Sequence, residues 1–370
     1  MSLLKQRIVE KIRSEGPISF ETFMEMALYY PGLGYYAKES TTIGRAGDFY
    51  TSPHLHPIFG AMIARQVEEM WREMGRPDNF QIVEMGAGVG YLAKDLLGYL
   101  EGKEICGILN YTIVELNHHA RARQKTLLHE HLDKIRWVTD LKELDHFSGC
   151  LISNELLDAF PVRLVEMEDE LKEIYLAVRE DALVEIRKPC STEVRDYFMA
   201  LDIHLPADFR TEVNLRIKDW LRAVSQCLSE GFVITVDYGY PAYIYYSEGR
   251  SRGTLYSYYR HQVNEDPYKH IGDQDITAHV NFSSVKMWGE KLSLKTIGFC
   301  PQGTYFISLG IDEVIRELYG ETPDPFDIAK IKGLILPQGM GESHKVLIQY
   351  KGEGEPRLRG FDLRNQKGRL

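Results

Sequence analysis

From Phe80 onward, short apolar runs alternate with amphipathic helical stretches, and this alternation limits the possible folds more than any other feature of the chain. The strand candidates are FQIVEM, YTIVEL, IRWVTD, CLISNE, GFVITVDYG, LSLKTIGF and HKVLIQY. Helical stretches such as YLAKDLLGYL separate the first of them. Strands that alternate with helices pair in parallel through right-handed crossovers, so the pattern predicts an α/β fold with helices on both faces of a parallel sheet.

Two other segments depart from this alternation. Before it, Leu4, Ile8 and Ile12 recur at helical spacing, and Ser19 is a candidate N-cap for a second helix. Within it, residues 162–186 alternate apolar and polar side chains with period two, which predicts an inserted antiparallel ribbon. We therefore expect N-terminal helices and an antiparallel insertion in addition to the parallel core.

Composition excludes several function classes. The formal net charge of −10 argues against a protein that binds nucleic-acid phosphates, because such binding needs a basic surface. No run of 18 apolar residues is present, so we expect no transmembrane helix. The five cysteines form no C-x-x-C pair, and the N-terminal stretch MSLLKQRIVEKIRSEG lacks an apolar signal core. These features predict a cytoplasmic protein without membrane insertion and without bound nucleic acid.

The stretch VEMGAGVGYL is the most informative about function, because its glycines follow an apolar strand and lead directly into a helix. Gly86, Gly88 and Gly90 allow a tight turn in which backbone N–H groups approach a ligand without a clashing Cβ. Glu84 precedes the turn, and a dinucleotide-binding fingerprint would place its third glycine at Tyr91. The observed spacing is instead typical of S-adenosylmethionine methyltransferases. The alternative is a structural glycine turn beside surface acids.

Two further strand ends supply candidate cofactor-binding residues. Glu115 ends the second strand, where a carboxylate can accept both ribose hydroxyls of a nucleoside, and Leu116 follows it. Asp140 ends the third strand and is placed to accept from an adenine amino group. For Asp140, a role as a loop or helix-cap carboxylate remains the alternative. The carboxyl ends of the strands therefore form the predicted nucleoside-binding edge.

Seven blocks of sequence, in one order and across nearly the whole chain, resemble the MidA-like S-adenosylmethionine-dependent methyltransferases. They are PISFETFMEMALYYPGLGYY, GDFYTSP, VEMGAGVGYL, SNELLDAFPV, VDYG, RGTL and DITAHVNF. This family includes the arginine methyltransferase that acts as an assembly factor of mitochondrial complex I. The chain departs from the family pattern at His54, Asn281 and His344, none of which lies in the glycine turn.

The resemblance implies a Rossmann-like, seven-stranded methyltransferase sheet and S-adenosyl-L-methionine as the cofactor, with S-adenosylhomocysteine as the product. It also implies that Gly47, Asp48, Thr51 and Ser52 of the GDFYTSP block pack near the methionine end of the cofactor. The alternative for this block is structural, because Ser52 followed by Pro53 is typical of a helix N-terminus. The implied activity is methylation of a protein arginine, with a respiratory-complex subunit as the kind of partner.

Candidate site residues follow the fourth and fifth strands of the predicted sheet: the cofactor candidate Asn154 and the catalytic candidates Glu155 and Asp158 after the fourth, and the catalytic candidates Asp237 and Tyr238 after the fifth. An arginine substrate is a planar cation, so carboxylates must hold and orient it, and Glu155 and Asp158 are the candidates. Asn154 is assigned to the cofactor, while Asp237 and Tyr238 complete a wall. The alternatives are helix-terminal acids for Glu155 and Asp158, and a turn with a packed ring for the other pair.

These assignments predict how the chain is organised. The expected parts are a helical segment with a cofactor-covering loop (1–78), a methyltransferase core (79–160, 229–240 and 285–351), an inserted ribbon and helix (161–228), a tyrosine-rich substrate lobe (241–284) and a mobile tail (352–370). Nine of the 22 tyrosines lie between Tyr238 and Tyr268. They suit either a lid or peptide groove, or a satellite subdomain whose tyrosines pack on one another.

No metal site is predicted, because Asp273, Asp275 and His279 have no second cluster at ligand spacing. Two other functions remain open. One is a non-catalytic assembly factor that binds a partner protein through the tyrosine-rich lobe and the ribbon. The other is a nicotinamide oxidoreductase, which the glycine spacing disfavours. The sequence gives no support for an oligomer.

Overall fold

The structure is a computed structural model that describes residues 2–39, 51–180, 182–260 and 262–370. The chain divides into two compact units. Unit 1 comprises Met1–Phe49, Leu157–Asp219 and Tyr240–Ser284, and unit 2 comprises Tyr50–Leu156, Trp220–Gly239 and Val285–Leu370.

Strands and helices are numbered in chain order. The strands are β1 (Ile18–Ser19), β2 (Phe80–Met85), β3 (Leu109–Val114), β4 (Ile135–Val138), β5 (Phe147–Asn154), β6 (Arg163–Met167), β7 (Leu171–Arg179), β8 (Ala182–Pro189), β9 (Arg210–Val213), β10 (Leu228–Tyr240), β11 (Tyr256–Tyr259), β12 (Gln262–Asn264), β13 (Asp275–Thr277), β14 (Val280–Asn281), β15 (Lys295–Pro301) and β16 (His344–Lys351). The helices are α1 (Leu3–Glu15), α2 (Phe20–Tyr29), α3 (Ser52–Leu55), α4 (Ile58–Glu73), α5 (Tyr91–Leu100), α6 (His118–Leu127), α7 (Thr192–Ala200), α8 (Arg216–Cys227), α9 (Ala242–Tyr245), α10 (Phe282–Lys291), α11 (Gln302–Leu309), α12 (Ile311–Tyr319), α13 (Pro325–Ile335) and α14 (Met340–Ser343).

The main sheet belongs to unit 2 and contains the strands predicted from the apolar runs. Its main path follows the order β15-β16-β10-β5-β2-β3-β4. The five strands from β10 to β4 are parallel, and β16 runs antiparallel to both of its neighbours. The predicted α/β fold with a mostly parallel sheet is confirmed. In such a sheet the carboxyl ends of the parallel strands share one edge, which is where ligands bind.

Unit 1 contains the predicted antiparallel ribbon. Strands β6, β7 and β8 pair antiparallel in sequence order, with β1 and β9 completing a five-stranded sheet. Helices α1 and α2 pack on the hydrophobic core of this unit, and Ser19 caps α2 by accepting from the Thr22 N–H at 3.2 Å. The tyrosine-rich region forms a second, three-stranded sheet of order β12-β11-β13.

Two local predictions differ from the structure. The predicted insert of ribbon and helix (161–228) contains a further strand, since Arg210–Val213 pairs with β6 as β9 before α8 begins at Arg216. The segment expected as a mobile tail instead contributes Leu358 and Phe361 to the core of unit 2, where they are 3% and 6% exposed. A Cβ on Gly298 would overlap the Phe361 ring, so the glycine makes room for this packing.

None of the helices in the part of the chain described here combines the length and apolarity needed to cross a membrane.

Candidate active site

The glycine turn of unit 2 joins β2 to α5. Gly86, Gly88 and Gly90 have φ angles of 75°, 54° and 99°, in the left-handed region that favours glycine. A Cβ on Gly86 would lie only 2.9 Å from Cδ1 of Leu156, so a side chain there would displace a neighbour. The left-handed φ angles and the lack of room for a Cβ at Gly86 therefore favour glycine in this turn, as the sequence predicted.

Glu84 lies at the end of β2, directly before the turn, and is buried with 3% exposure. Its Oε2 accepts from the Tyr111 hydroxyl at 2.8 Å. Burial raises the pKa of Glu84 to about 7, and the hydrogen bond from Tyr111 opposes that rise. The structure thus places Glu84, a predicted cofactor residue, in the interior of unit 2, where its carboxylate is hydrogen-bonded to the Tyr111 hydroxyl.

Glu115 lies just past the end of β3, and both of its carboxylate oxygens have partners. Oε1 accepts from the Asn117 N–H at 2.9 Å, and Oε2 accepts from Nε2 of Gln124 at 3.1 Å. Burial raises the pKa of Glu115 above its ordinary value. A carboxylate oxygen accepts more than one hydrogen bond, so lone pairs remain for a ligand hydroxyl. Leu116, next in the chain, is 72% exposed.

Asp140 is exposed and begins a short 3₁₀ helix. Its Oδ1 accepts from the Lys142 N–H at 2.9 Å, and Glu143 completes a capping box. This is the cap role that the sequence left open as the alternative to adenine binding. An exposed cap carboxylate keeps free lone pairs, so the two roles are compatible.

Asn154 and Glu155 follow the buried part of β5. Oδ1 of Asn154 is buried, and the described residues offer it no hydrogen-bond partner. Glu155 has φ of 46°, a left-handed conformation that a non-glycine residue adopts only at a cost. Its Oε1 accepts from the Ser52 N–H at 3.1 Å and lies 3.5 Å from Nε2 of His344. The side chain is 7% exposed, so this carboxylate is held in place by its surroundings.

Asp237 and Tyr238 lie opposite Lys345 and His344 in the pairing of β10 with β16. Asp237 is fully buried, and its Oδ1 accepts from the Tyr238 N–H at 2.9 Å. The Tyr238 ring lies 5.6 Å from the His344 ring. His344 thus lies next to Glu155, after β5, and next to Tyr238, at the end of β10. Sequence reasoning noted this histidine only as a departure from the family pattern.

The remaining predicted residues divide into three groups. Asp158 belongs to unit 1, where it is buried and its backbone oxygen accepts from the Ala278 N–H at 2.9 Å. Thr51 and Ser52 lie in unit 2; Oγ1 of Thr51 is 2.6 Å from Nδ1 of His54. Gly47 and Asp48 lie outside the described residues.

Gln124 is the clearest residue that sequence reasoning missed. It is fully buried on α6 and contacts the glycine turn, Glu115 and Trp137 at once. No sequence signal marks it, because a glutamine within an amphipathic helix is ordinarily a surface residue.

Potential metal ligands do not cluster in the described parts of the chain, where no three His, Cys, Asp or Glu side chains come together to hold an ion. Asp273 pairs with Lys38, and Asp275 accepts from the Tyr36 hydroxyl at 2.9 Å.

Comparison with known proteins gives one family and several relatives. A family model described as "Putative S-adenosyl-L-methionine-dependent methyltransferase" matches residues 62–300. A crystal structure of a Burkholderia thailandensis protein bound to S-adenosyl-homocysteine is 31% identical, covers 99% of this chain and 96% of its own, and superposes with a TM-score of 0.90. A native crystal structure from the same organism has a TM-score of 0.88 at the same identity and coverage.

Curated relatives are more distant. The mouse protein arginine methyltransferase NDUFAF7, mitochondrial, is 24% identical over 91% of this chain and 82% of its own length. Its Drosophila melanogaster homolog is 26% identical over 95% of this chain and 85% of its own length.

Proposed function

Because the chain belongs to the family of S-adenosyl-L-methionine-dependent methyltransferases, we propose that it transfers a methyl group to an arginine of a protein. The arginine part rests on the names of the mouse and Drosophila relatives. The observation in this chain that supports it best is Glu155, a buried carboxylate held in a strained backbone conformation just beyond the carboxyl end of β5.

The residues of unit 2 suit a nucleoside cofactor. The glycine turn presents backbone without side chains, Glu115 offers carboxylate lone pairs for ribose hydroxyls, and Asn154 has a buried oxygen in need of a donor. S-adenosyl-L-methionine, when bound, supplies an activated methyl group on a cationic sulfur. We assign the glycines, Glu115 and Asn154 to cofactor binding, with Glu84 supporting the turn from behind.

Glu155 is proposed to hold the substrate guanidinium. A guanidinium is planar, always charged and binds carboxylates through two parallel N–H donors, so a fixed carboxylate also fixes its orientation. Orientation is the main requirement for methyl transfer, because the leaving group is already activated. The acceptor nitrogen loses one proton in the reaction, and His344, 3.5 Å from Glu155, is proposed to receive it.

Asp237 and Tyr238 are proposed as supports of this site, since Tyr238 contacts His344 and Asp237 fixes the backbone at Tyr238. The role of Asp158 stays a prediction, because that residue belongs to unit 1.

The methyl acceptor is proposed to be a protein subunit of a larger complex, as the complex I assembly role found among the MidA-like methyltransferases suggests. The cellular compartment stays a prediction. The sequence predicts the cytoplasm, whereas the names of the relatives place those proteins in mitochondria.

A labelled-methyl transfer assay tests the proposal. Lysate from cells that lack the protein is incubated with purified protein and S-adenosyl-L-methionine carrying a radioactive methyl group, and labelled proteins are hydrolysed to identify methylarginine. Glu155→Gln should lower the labelling by about a hundredfold, because it removes the charge that orients the guanidinium. Glu170→Gln, a change of the same kind at a side chain 69% exposed, is the matched control.

Three results separate the possible functions. Labelled methylarginine that disappears with Glu155→Gln supports the proposal. Equal labelling by wild type and Glu155→Gln would overturn the role of Glu155. Normal S-adenosylhomocysteine binding without any labelling would instead support the non-catalytic assembly factor.

A further inference from the structure

Gln124 makes three hydrogen bonds from one fully buried amide. Its Nε2 donates to the backbone oxygen of Gly88 at 2.9 Å and to Oε2 of Glu115 at 3.1 Å. Its Oε1 accepts from the indole Nε1 of Trp137 at 3.0 Å. A Cβ on Gly90 would lie 3.4 Å from Cγ of Gln124, so the side chain also packs against the end of the turn. One side chain on α6 therefore ties together β4, the end of β3 and the turn after β2.

The orientation of this amide is fixed by chemistry. An indole N–H can only donate, so the Gln124 oxygen must face Trp137. The two amide hydrogens then point toward the Gly88 carbonyl and the Glu115 carboxylate, both of which can only accept in this arrangement. Rotating the amide by half a turn would break all three bonds at once. The Trp137 indole therefore selects the orientation in which Gln124 serves the turn and Glu115.

We propose that Gln124 is a positioning residue for cofactor binding, which holds the Glu115 carboxylate and the glycine turn at a fixed separation. This inference rests on the proposed function, since it takes Glu115 and the turn as the residues that hold S-adenosyl-L-methionine. Gln124 itself uses both amide hydrogens and its oxygen within the protein, so it acts through Glu115 and the turn.

A purely structural role is the competing explanation. Gln124 would then join α6 to β4, and its replacement would lower the stability of the protein without a specific effect on the ligand. Calorimetry at several pH values measures the affinity for S-adenosylhomocysteine, and urea unfolding of the same variants measures their stability, so the two explanations can be separated.

Gln124→Glu is the sharpest change, since it replaces the donating NH₂ by an oxygen of nearly the same size. At pH 8 a new carboxylate would face the Glu115 carboxylate and the Gly88 carbonyl, and S-adenosylhomocysteine affinity should fall about thirtyfold relative to wild type. Near pH 5.5 protonation restores one donor, so the difference from wild type should shrink to about fivefold. A role confined to packing predicts no such recovery at low pH.

Gln124→Met and Trp137→Phe complete the test. Gln124→Met keeps the volume but removes all three bonds, and its affinity should be about tenfold lower at every pH. Trp137→Phe leaves Gln124 in place but removes the donor that fixes the orientation of its amide, so the affinity should fall about threefold. Should Gln124→Met fail to fold, Gln124→Glu and Trp137→Phe decide: a weakened affinity in Trp137→Phe supports the proposal, and an unchanged affinity overturns it.

The inference is overturned if Gln124→Glu shows the same ratio to wild type at pH 5.5 and pH 8, or if Gln124→Met binds as tightly as wild type. Failure of the proposed function looks different. In that case wild type itself does not bind S-adenosylhomocysteine, whatever residue occupies position 124.

Discussion

Two polar regions of this protein use their side chains in opposite ways. The proposed cofactor edge of unit 2, formed by the glycine turn with Glu84 and Glu115, consists of residues adjacent to strand ends, and Glu115 retains lone pairs for a ligand. The tyrosine-rich segment of unit 1, Tyr240–Ser284, directs many of its polar atoms toward partners within the protein. The first region is encoded locally, whereas the second depends on residues far away in the chain.

Three tyrosines show how the second region is built. Tyr245 donates to Oε2 of Glu212 at 3.2 Å, and Tyr268 donates to Oε1 of Glu185 at 2.7 Å. The Tyr246 hydroxyl lies 2.8 Å from that of Tyr197. Tyr245 and Tyr246 are buried with their hydroxyls paired, which stabilises the fold and keeps both hydroxyls away from a substrate. These tyrosines therefore fit the satellite subdomain that the sequence left open as an alternative.

Exposed tyrosines remain candidates for substrate contact in the same segment. Tyr243 and Tyr256 are 53% and 36% exposed. The predicted substrate lobe stays a prediction, and these two side chains are where it would be tested.

The largest expected effect is a loss of stability when an anchor of the tyrosine-rich segment is removed, without a matching loss of cofactor affinity. Glu212 is buried, and its Oε1 accepts from the backbone N–H groups of Thr254 and Leu255 at 2.9 and 3.0 Å. Glu212→Ala leaves these donors buried without an acceptor, so the free energy of unfolding should fall by about 4 kcal/mol in urea titrations. The affinity for S-adenosylhomocysteine should stay within about twofold of wild type at temperatures where the variant is folded.

Tyr245→Phe is the matched control, because it removes one donor to Glu212 and leaves the backbone contacts intact. Its cost should be about 1 kcal/mol. A loss for Glu212→Ala no greater than that of this control would show that the carboxylate is not the anchor of the segment.

The next effect concerns the cofactor edge and should appear in affinity. Glu115→Ala removes the proposed acceptor of both ribose hydroxyls, so S-adenosylhomocysteine should bind about a hundredfold more weakly by calorimetry. Glu115→Gln keeps one acceptor and should lose about tenfold. The free energy of unfolding should fall by about 2 kcal/mol, less than for Glu212→Ala, because the Asn117 N–H and the buried Gln124 amide lose an acceptor. Unchanged affinity in Glu115→Ala would remove this residue from the cofactor site.

The comparison explains what the sequence could and could not predict about the fold. The parallel strands were visible because each is a continuous apolar run, and the ribbon because its residues alternate with period two. Packing of Leu358 and Phe361 was not visible, because a short apolar pair in a charged segment gives no periodic signal. Their burial depends on space left by Gly298, some sixty residues earlier in the chain.

The same limit applies to the site. Glycine spacing and acids at strand ends indicate a nucleoside site because each directly follows an apolar strand that the sequence itself marks. Gln124 and Trp137 reach that site through hydrogen bonds between separate elements, and His344 comes from an antiparallel strand at the far end of the chain. Nothing in the local sequence marks such residues, since their partners are set by the tertiary fold.

The smallest expected effect tests whether Glu84 supports the glycine turn from a buried position. Its pKa of about 7 exceeds the ordinary value of 4.5, so between those values the folded state binds a proton that the unfolded state has released. Its contribution to stability is therefore complete below pH 4.5 and is lost as the pH rises toward 7. Glu84→Gln does not titrate, so its stability relative to wild type should increase by about 2 kcal/mol from pH 5 to pH 8 in ligand-free urea unfolding.

Tyr111→Phe removes the hydrogen bond that lowers this pKa and should move the transition to higher pH, while the exposed Glu170→Gln should follow the wild-type profile. Parallel pH profiles for Glu84→Gln and wild type would mean that this carboxyl is hydrated, and the cofactor edge would then lack the buried support that distinguishes it from a surface turn.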